Sequence, residues 1–156
     1  MYAQRTKGFT LIELLVVIAV IALLTLVGVA SLNTSRQKAR DAKRLADIRQ
    51  VQTALQLYNS DENEYPVVTD AAVLGGATAQ KLCDKASGGF VPTDKQCITT
   101  YMQEVPGDPI PGSDFTYVGD AKGFDISFTT EQSSFLGAAG TYHAHSQAIS
   151  AQAGNL

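Results

Sequence analysis

Apolar residues fill almost every position of the N-terminal segment from Phe9 to Leu32. The interruptions are few: Thr10, Glu13, Thr25, Gly28 and Ser31. A helix needs roughly 20 apolar residues to cross the hydrocarbon core of a bilayer. The pattern therefore predicts a single transmembrane helix over residues 9–32.

The helix is predicted to continue beyond this run, because no proline occurs between Phe9 and Tyr65 and helix-forming residues dominate. Five apolar residues recur at spacings of 3, 3, 4 and 3, which places them on one stripe of a helix: Leu45, Ile48, Val51, Leu55 and Tyr58. Arg44 and Asp47 then fall mostly on other faces. Because Pro66 disfavours helical backbone at Tyr65, a helix of about 50 residues, roughly 75 Å long, should end near residue 64.

Toward the C-terminus the apolar period changes from that of a helix to that of a strand. Phe115 and Tyr117 alternate with Asp114, Thr116 and Val118, and after five Gly-containing residues the apolar residues of the stretch 124–128 alternate with polar ones. This is the pattern of a β-hairpin, with Gly140–Ala144 as a candidate third strand. We expect an α+β fold in which the long helix packs on a small antiparallel sheet over residues 113–145.

Residues 65–112, between the helix and this sheet, have no dominant period. We predict a mixed connector with a short helix over Ala77–Cys83, a turn over Thr99–Gln103 and a rigid proline-rich loop near its end. After residue 145 the Ala-, Ser- and Gln-rich sequence predicts a frayed tail.

The 156-residue chain has a net charge of −3, but its charges are segregated. The collar, defined as residues 36–49, holds six basic and two acidic residues (net +4), whereas the chain beyond it holds four basic and twelve acidic residues (net −8). An acidic domain beside a basic collar argues against a nucleic-acid-binding protein. We expect the collar to meet anionic lipid head groups or the acidic heads of neighbouring copies.

Candidate chemistry in the C-terminal part is sparse. Cys83 and Cys97 are the only cysteines. A lone pair lacks the ligands of a structural zinc site, which favours a disulfide and an oxidising compartment, with two unpaired thiols as the alternative. His143 and His145 are too few to form a metal site. No nucleophile–base pair, phosphate-binding loop or zinc-protease motif occurs, so we do not expect an enzyme.

The segment from Gly8 to Val17, GFTLIELLVV, resembles the processing and methylation motif of type IV prepilins and of type II secretion pseudopilins. The resemblance implies a leader at residues 1–8, which a prepilin peptidase/methyltransferase removes after Gly8 before it methylates the new N-terminal amine of Phe9. An ionised acid costs on the order of 2.5–3.5 kcal/mol at the membrane centre. The resemblance implies that Glu13 is kept there to pair with the Phe9 amine of a neighbouring subunit during assembly.

On this resemblance the chain is expected to be a structural subunit of a type IV pilus-like filament, with residues 9–32 in the filament core and residues 33–156 as the head. The alternatives are a pseudopilin of a type II secretion or DNA-uptake apparatus, and an uncleaved, signal-anchored binding domain. The subunit would wait in the cytoplasmic membrane as a single-pass protein, until inner-membrane assembly machinery extracted it into a cell-surface filament. The basic collar after the helix argues for a cytoplasmic head, whereas the disulfide and the resemblance argue for an exported one, and we expect an exported head.

No cofactor is expected, with one exception that the resemblance raises. Related pseudopilins include members that hold calcium in a loop of the sheet region, where this chain has Asp108, Asp114, Asp120 and Asp125. The spacing of these aspartates matches no EF-hand. Calcium is therefore an open alternative to four solvated turn residues.

Overall fold

The computed structural model describes residues 8–134 and 136–151, with the backbone alone for residues 26–30. One helix, α1 (Leu11–Glu62, 52 residues), confirms the predicted long helix. The chain divides into two compact units, one up to Gln37 and one from Lys38 onward. Asn63 follows the helix with a left-handed φ of 59°, a backbone conformation common just past a helix C-terminus. Most of the predicted leader, residues 1–7, and the end of the predicted tail, residues 152–156, lie outside the described residues.

The described strands belong to the second unit, the head, which begins at Lys38. Eight strands lie within the described residues, in chain order: β1 (Val68–Val73), β2 (Lys81–Cys83), β3 (Phe90–Val91), β4 (Thr100–Met102), β5 (Thr116–Gly119), β6 (Phe124–Thr130), β7 (Gly140–Ala144) and β8 (Ile149–Ser150). Five of them form an antiparallel sheet in the order β1-β5-β6-β7-β8. The predicted hairpin is β5–β6, and the predicted third strand is β7.

The sheet buries one face against the second half of α1, as the alternating pattern predicts. Alternate residues of β6 are buried, and the apolar ones join four of the five stripe residues in one cluster, while Leu45 is only partly buried. Ile48, Val51 and Leu55 are fully buried there, and Tyr58 is 1% exposed. Burial of a large apolar side chain is worth about 1.5–3 kcal/mol, so this helix-on-sheet contact is the main source of stability in the head.

The connector contains more sheet than the sequence predicts. The predicted helix over Ala77–Cys83 is wrong: Lys81–Cys83 is the central strand of a second sheet, ordered β3-β2-β4. The predicted turn over Thr99–Gln103 is wrong as well, because Thr100–Met102 is β4. Leu82 and Cys83 are fully buried, and β2 pairs with a strand on each side. These tertiary contacts outweigh the local preference of the segment for a helix. Part of the predicted tail is also paired, since Ile149–Ser150 adds β8 to the larger sheet.

Candidate assembly site

The N-terminus of α1 is closed by a reciprocal pair of hydrogen bonds between Thr10 and Glu13. The Thr10 backbone N–H and hydroxyl each donate to Glu13 Oε2 at 2.8 Å, and the Glu13 N–H donates to Thr10 Oγ1 at 3.3 Å. This is a capping box, in which a threonine before the first turn and a glutamate three residues later satisfy each other's amides. The sequence carries its signature, Thr-x-x-Glu before an apolar run, so Thr10 could have been identified from sequence alone.

The helix that follows carries apolar side chains on all its sides. Within the N-terminal unit, the twelve large apolar side chains between Phe9 and Leu24 are between 51% and 90% exposed. Surface of this extent marks a site of contact with lipid or with other protein. By hydropathy, no helix in the described part of the chain is both long and apolar enough to cross a membrane. The transmembrane span over residues 9–32 stays a prediction.

The predicted cleavage point lies just outside the helix. Gly8, Phe9 and Thr10 are non-helical and exposed, and α1 begins at Leu11. A Cβ at Gly8 would have no atom within 4 Å. The peptide bond between Gly8 and Phe9 is therefore non-helical and exposed. Cleavage and methylation there remain predictions.

The two cysteines of the head form a disulfide between β2 and the loop after β3. The Cα atoms of Cys83 and Cys97 lie 5.7 Å apart, and Cys83 is fully buried. Asp84 ties the same loop through its carboxylate, which accepts hydrogen bonds from Ser87 and from the backbone N–H groups of Ile98 and Thr99. These bonds, led by that of Thr99, hold the pKa of Asp84 below its ordinary value. The loop is thus fixed both covalently and by one buried carboxylate.

Arg44 lies at the centre of an ion cluster in the head. Its guanidinium donates from Nε to Asp108 Oδ2 at 2.7 Å and from Nη2 to Asp108 Oδ1 at 2.8 Å. Its Nη1 donates to Asp41 Oδ1 at 2.7 Å and to Glu131 Oε1 at 2.8 Å. Arg40 makes a second bidentate pair with the Glu131 carboxylate. The cluster therefore joins α1 to the loop after β4 and to the segment after β6.

This cluster bears on the collar hypothesis. Arg44 lies off the apolar stripe yet is buried: its side chain is 1% exposed, because carboxylates 64 and 87 positions away in sequence surround it. Arg40 and Arg44 are also not available to lipid head groups or neighbouring copies, as the collar hypothesis requires, since both bind carboxylates of their own chain. Lys38 and Lys43 remain exposed. The hydrogen bonds of Asp108, above all, raise the pKa of Arg44.

The four aspartates considered for calcium do not form one site. Asp108 is held by Arg44, and Asp120 accepts hydrogen bonds from the N–H groups of Lys122 and Gly123 in its own turn. Asp125 lies beside a histidine on the sheet, and Asp114 is exposed. No group of three or more acidic, histidine or cysteine side chains is placed to hold a metal ion in the described residues. These aspartates therefore do not fit a calcium ion.

His143 and His145 project from the same side of β7, with parallel rings whose centroids lie 6.4 Å apart. His143 Nδ1 lies 3.0 Å from both carboxylate oxygens of Asp125 on the neighbouring strand. A carboxylate in this position orients the imidazole ring. The Asp125–His143 pair was not predicted from sequence, because it depends on the register of β6 and β7, which pairs Ser127 with His143.

Two family models match the chain. The prokaryotic N-terminal methylation motif covers residues 3–29, and protein G of the type II secretion system (T2SS) covers residues 31–142. The two matched ranges follow one another along the chain, with only residue 30 between them.

Similar curated proteins include several that are named type II secretion system core protein G. The type II secretion system core protein G of Aeromonas hydrophila is 33% identical over 94 residues, which is 58% of this chain and 66% of that protein. Core protein G of Escherichia coli (strain K12) is 30% identical over 125 residues, 79% of this chain and 80% of the relative. The major component of a type IV wide pilus from Thermus thermophilus is 40% identical over 62 residues, covering 40% of this chain and 47% of that protein. This chain thus spans just under two thirds of the length of the Aeromonas relative. No solved structure matches it.

Proposed function

The chain belongs to the family of type II secretion system protein G, and from this premise we propose that it is a pseudopilin that is cleaved after Gly8, N-methylated at Phe9 and polymerised through α1. The observation that carries the proposal is the motif from Gly8 to Glu13. It joins an accessible peptide bond, a capped carboxylate and an uncovered apolar helix within a few residues.

The apolar surface of the first half of α1 supplies the driving force for assembly. A lone subunit leaves this surface uncovered by its own chain. In the membrane lipid covers it, and on leaving the membrane only equally apolar helices of other subunits could do so. A bundle of such helices forms the filament core, and the heads face outward. The Cys83–Cys97 disulfide supports export of the head to an oxidising compartment.

Glu13 sets the position of each subunit against the next. Cleavage after Gly8 creates an ammonium group on Phe9. A buried carboxylate without a partner is strongly unfavourable, whereas a carboxylate paired with an ammonium group is tolerated. Pairing between Glu13 of one subunit and the Phe9 amine of another therefore favours one axial register over neighbouring ones.

The test substitutes Glu13→Gln, with Glu104→Gln as the matched control. Glu104 is an exposed glutamate of the head, so its substitution makes the same change of charge away from the helix N-terminus. We expect Glu13→Gln to enter the membrane normally but to give few filaments beside wild-type subunits, while Glu104→Gln assembles normally. Wild-type filament yield from Glu13→Gln would refute the pairing.

Processing is tested separately by the intact mass of chain extracted from membranes. We expect a mass that lacks Met1–Gly8 and carries one added methyl group. A full-length mass would refute cleavage and would favour the uncleaved, signal-anchored binding domain.

A long type IV pilus is the second candidate, because the Thermus thermophilus relative is named as a pilus component. Imaging of cell surfaces with and without this chain distinguishes the two. Long surface fibres that vanish with the chain would favour the pilus, whereas loss of protein secretion without loss of fibres would favour the pseudopilus. A DNA-uptake fibre would bind DNA through exposed collar residues such as Lys38 and Lys43, and filter binding without salt dependence would exclude that role.

A further inference from the structure

The disulfide loop, defined as residues 92–99, presents an exposed isoleucine on a backbone that is firmly held. Ile98 is 84% exposed, the highest value among the large apolar side chains in the described part of the head. Its backbone N–H donates to Asp84 Oδ1 at 3.1 Å, and the preceding residue, Cys97, is fixed by the disulfide. A side chain that is already held in place loses little entropy on binding, so Ile98 is suited to contact another molecule.

An apolar groove lies between α1 and the segment after β6. Its described apolar lining consists of Ala42, Leu45, Ala46, Phe128 and Leu136, and its volume is about 380 Å³. Leu45 belongs to the apolar stripe of α1, yet its own chain buries it only in part. An apolar cavity of about 150 Å³ already holds a benzene molecule. The groove therefore has room for an aliphatic side chain of another molecule.

The loop and the groove lie at opposite ends of the part of α1 that belongs to the head. Asp84, which holds Ile98, is followed by Lys85, whose N–H donates to Glu62 Oε1 at the end of α1. At a rise of about 1.5 Å per residue, roughly 25 Å of helix separates Glu62 from Ala46 in the groove. A contact between opposite ends of two copies is heterologous, and such contacts repeat as an open helical filament when the rotation does not close a ring.

The charges at the two ends are complementary. The last turn of α1 holds Asp61 and Glu62 and no basic residue. Carboxylates there add to the negative end of the helix dipole, so a cation supplied from outside is favoured. At the other end Lys38 and Arg49 line the groove, while Asp41, the acidic side chain of its described lining, is paired within the head. The groove end of one copy therefore attracts the loop end of another.

We propose that Ile98 of one copy of this chain inserts into the groove of a second copy, which brings the acidic end of α1 beside Lys38. The inference rests on the proposed function, because it names a contact between two heads of one filament. Insertion removes both Ile98 and the uncovered side of Leu45 from water. The disulfide then serves assembly as well as folding, since it holds the contact residue in place.

Photo-cross-linking in purified filaments tests this contact. The photoreactive residue benzoylphenylalanine replaces Ile98, and the irradiated filaments are analysed by peptide mass spectrometry. We expect a covalent dimer in which position 98 is joined to residues 42–46, Phe128 or Leu136 of the second copy. The same substitution at Leu57, an exposed apolar residue of α1, is the matched control and should give no cross-link to the groove.

Filament yield tests the contact from both sides. Ile98→Asp should lower the yield by on the order of tenfold, because it would place a charge in the apolar groove. Ala46→Trp should lower it as well, because the indole would fill the groove. Thr53→Trp, at an exposed position of α1 outside the groove lining, is the control and should assemble normally. Thermal unfolding in detergent checks that each variant head is folded, and Ile98→Ala replaces Ile98→Asp if the latter does not fold.

The outcomes separate this contact from the proposed function. A wild-type chain that forms no filaments would refute the proposed function and this contact with it. Wild-type filaments in which position 98 is joined to another surface, or to a different protein, would overturn the contact alone. Normal assembly of folded Ile98 variants would also overturn it and leave the proposed function in place.

Discussion

Protonation or neutralisation of Glu131 should weaken the attachment of the segment after β6. Its carboxylate receives bidentate hydrogen bonds from Arg40 and a third from Arg44. The bonds from Arg40, followed by that of Arg44, lower the pKa of Glu131 from 4.5 to about 2. Glu131→Gln removes the charge while it keeps the size and one acceptor oxygen.

The magnitude follows from the shift in pKa. A change from 4.5 to about 2 corresponds to roughly 3 kcal/mol of native-state stability. Because the side chain is 22% exposed, solvent screening reduces the expected value to about 2 kcal/mol. The folded-state pKa is the lower one, so this stability is fully present above about pH 5 and is lost as the pH falls toward 2.

The assay is urea unfolding of the full chain in detergent, followed by near-UV circular dichroism of tyrosine. Five of the six tyrosines lie in the head, so the signal reports the head. We expect Glu131→Gln to unfold about 2 kcal/mol more easily than wild type at pH 7, and the difference to approach zero near pH 2. Glu104→Gln, the same change of charge at an exposed position of the head, serves as the control and should match wild type throughout.

The difference between variant and wild type cancels the titration of carboxylates outside the ion cluster, so its pH dependence reports Glu131 together with the carboxylates that share Arg44 with it. A difference that stays constant between pH 7 and pH 2 would refute the electrostatic account and would indicate lost packing. A difference in unfolding free energy that grows as the pH falls would contradict the lowered pKa of Glu131, which requires the difference to shrink.

Three further substitutions test the packing of the head. Leu55→Ala should lower the free energy of unfolding by about 2–5 kcal/mol, because it leaves a cavity in the core; urea unfolding beside exposed Leu57→Ala measures this, and equal effects would contradict it. Gly119→Ala should destabilise by about 1–3 kcal/mol, because its Cβ would displace the Tyr117 hydroxyl from the Pro66 carbonyl; an unchanged unfolding midpoint would count against it. Asp47→Asn should be neutral or stabilising in the same assay. Asp47 Oδ2 is buried without a hydrogen-bond partner among the described residues, and desolvation raises the Asp47 pKa. A clear loss of stability in the variant would show that the Asp47 charge is favourable in the folded head.

The elements with a sustained period could be predicted from sequence. The spacing of Ile48, Val51 and Leu55 allows only one buried face of a helix, and that face is the one in the core. The alternation from Phe124 onward fixes the inward face of β6, since a slip of one residue would expose the whole apolar set.

The second sheet and the ion cluster could not be predicted in the same way. Strands of two or three residues, such as β2–β4, are too short to show a period. Arg44 is a charged helix residue that ordinarily lies in solvent, and only its partners at positions 108 and 131 make burial tolerable. Asp41 lies three residues before Arg44, a spacing at which helix residues form ion pairs. That spacing is the same for an exposed pair and for a buried one.

In the proposed fibre, Glu13 would exchange its hydrogen-bond partners in the capping box for the Phe9 amine of the next subunit. A solitary chain already satisfies this acid with its own amide and hydroxyl, so docking to the next copy gains only the difference between the two arrangements. The cohesion of such a fibre would then come from the summed apolar contacts of many helices, while the Glu13 pairing selects the register in which those contacts form. It would therefore shed subunits one at a time from its ends and seldom break in the middle.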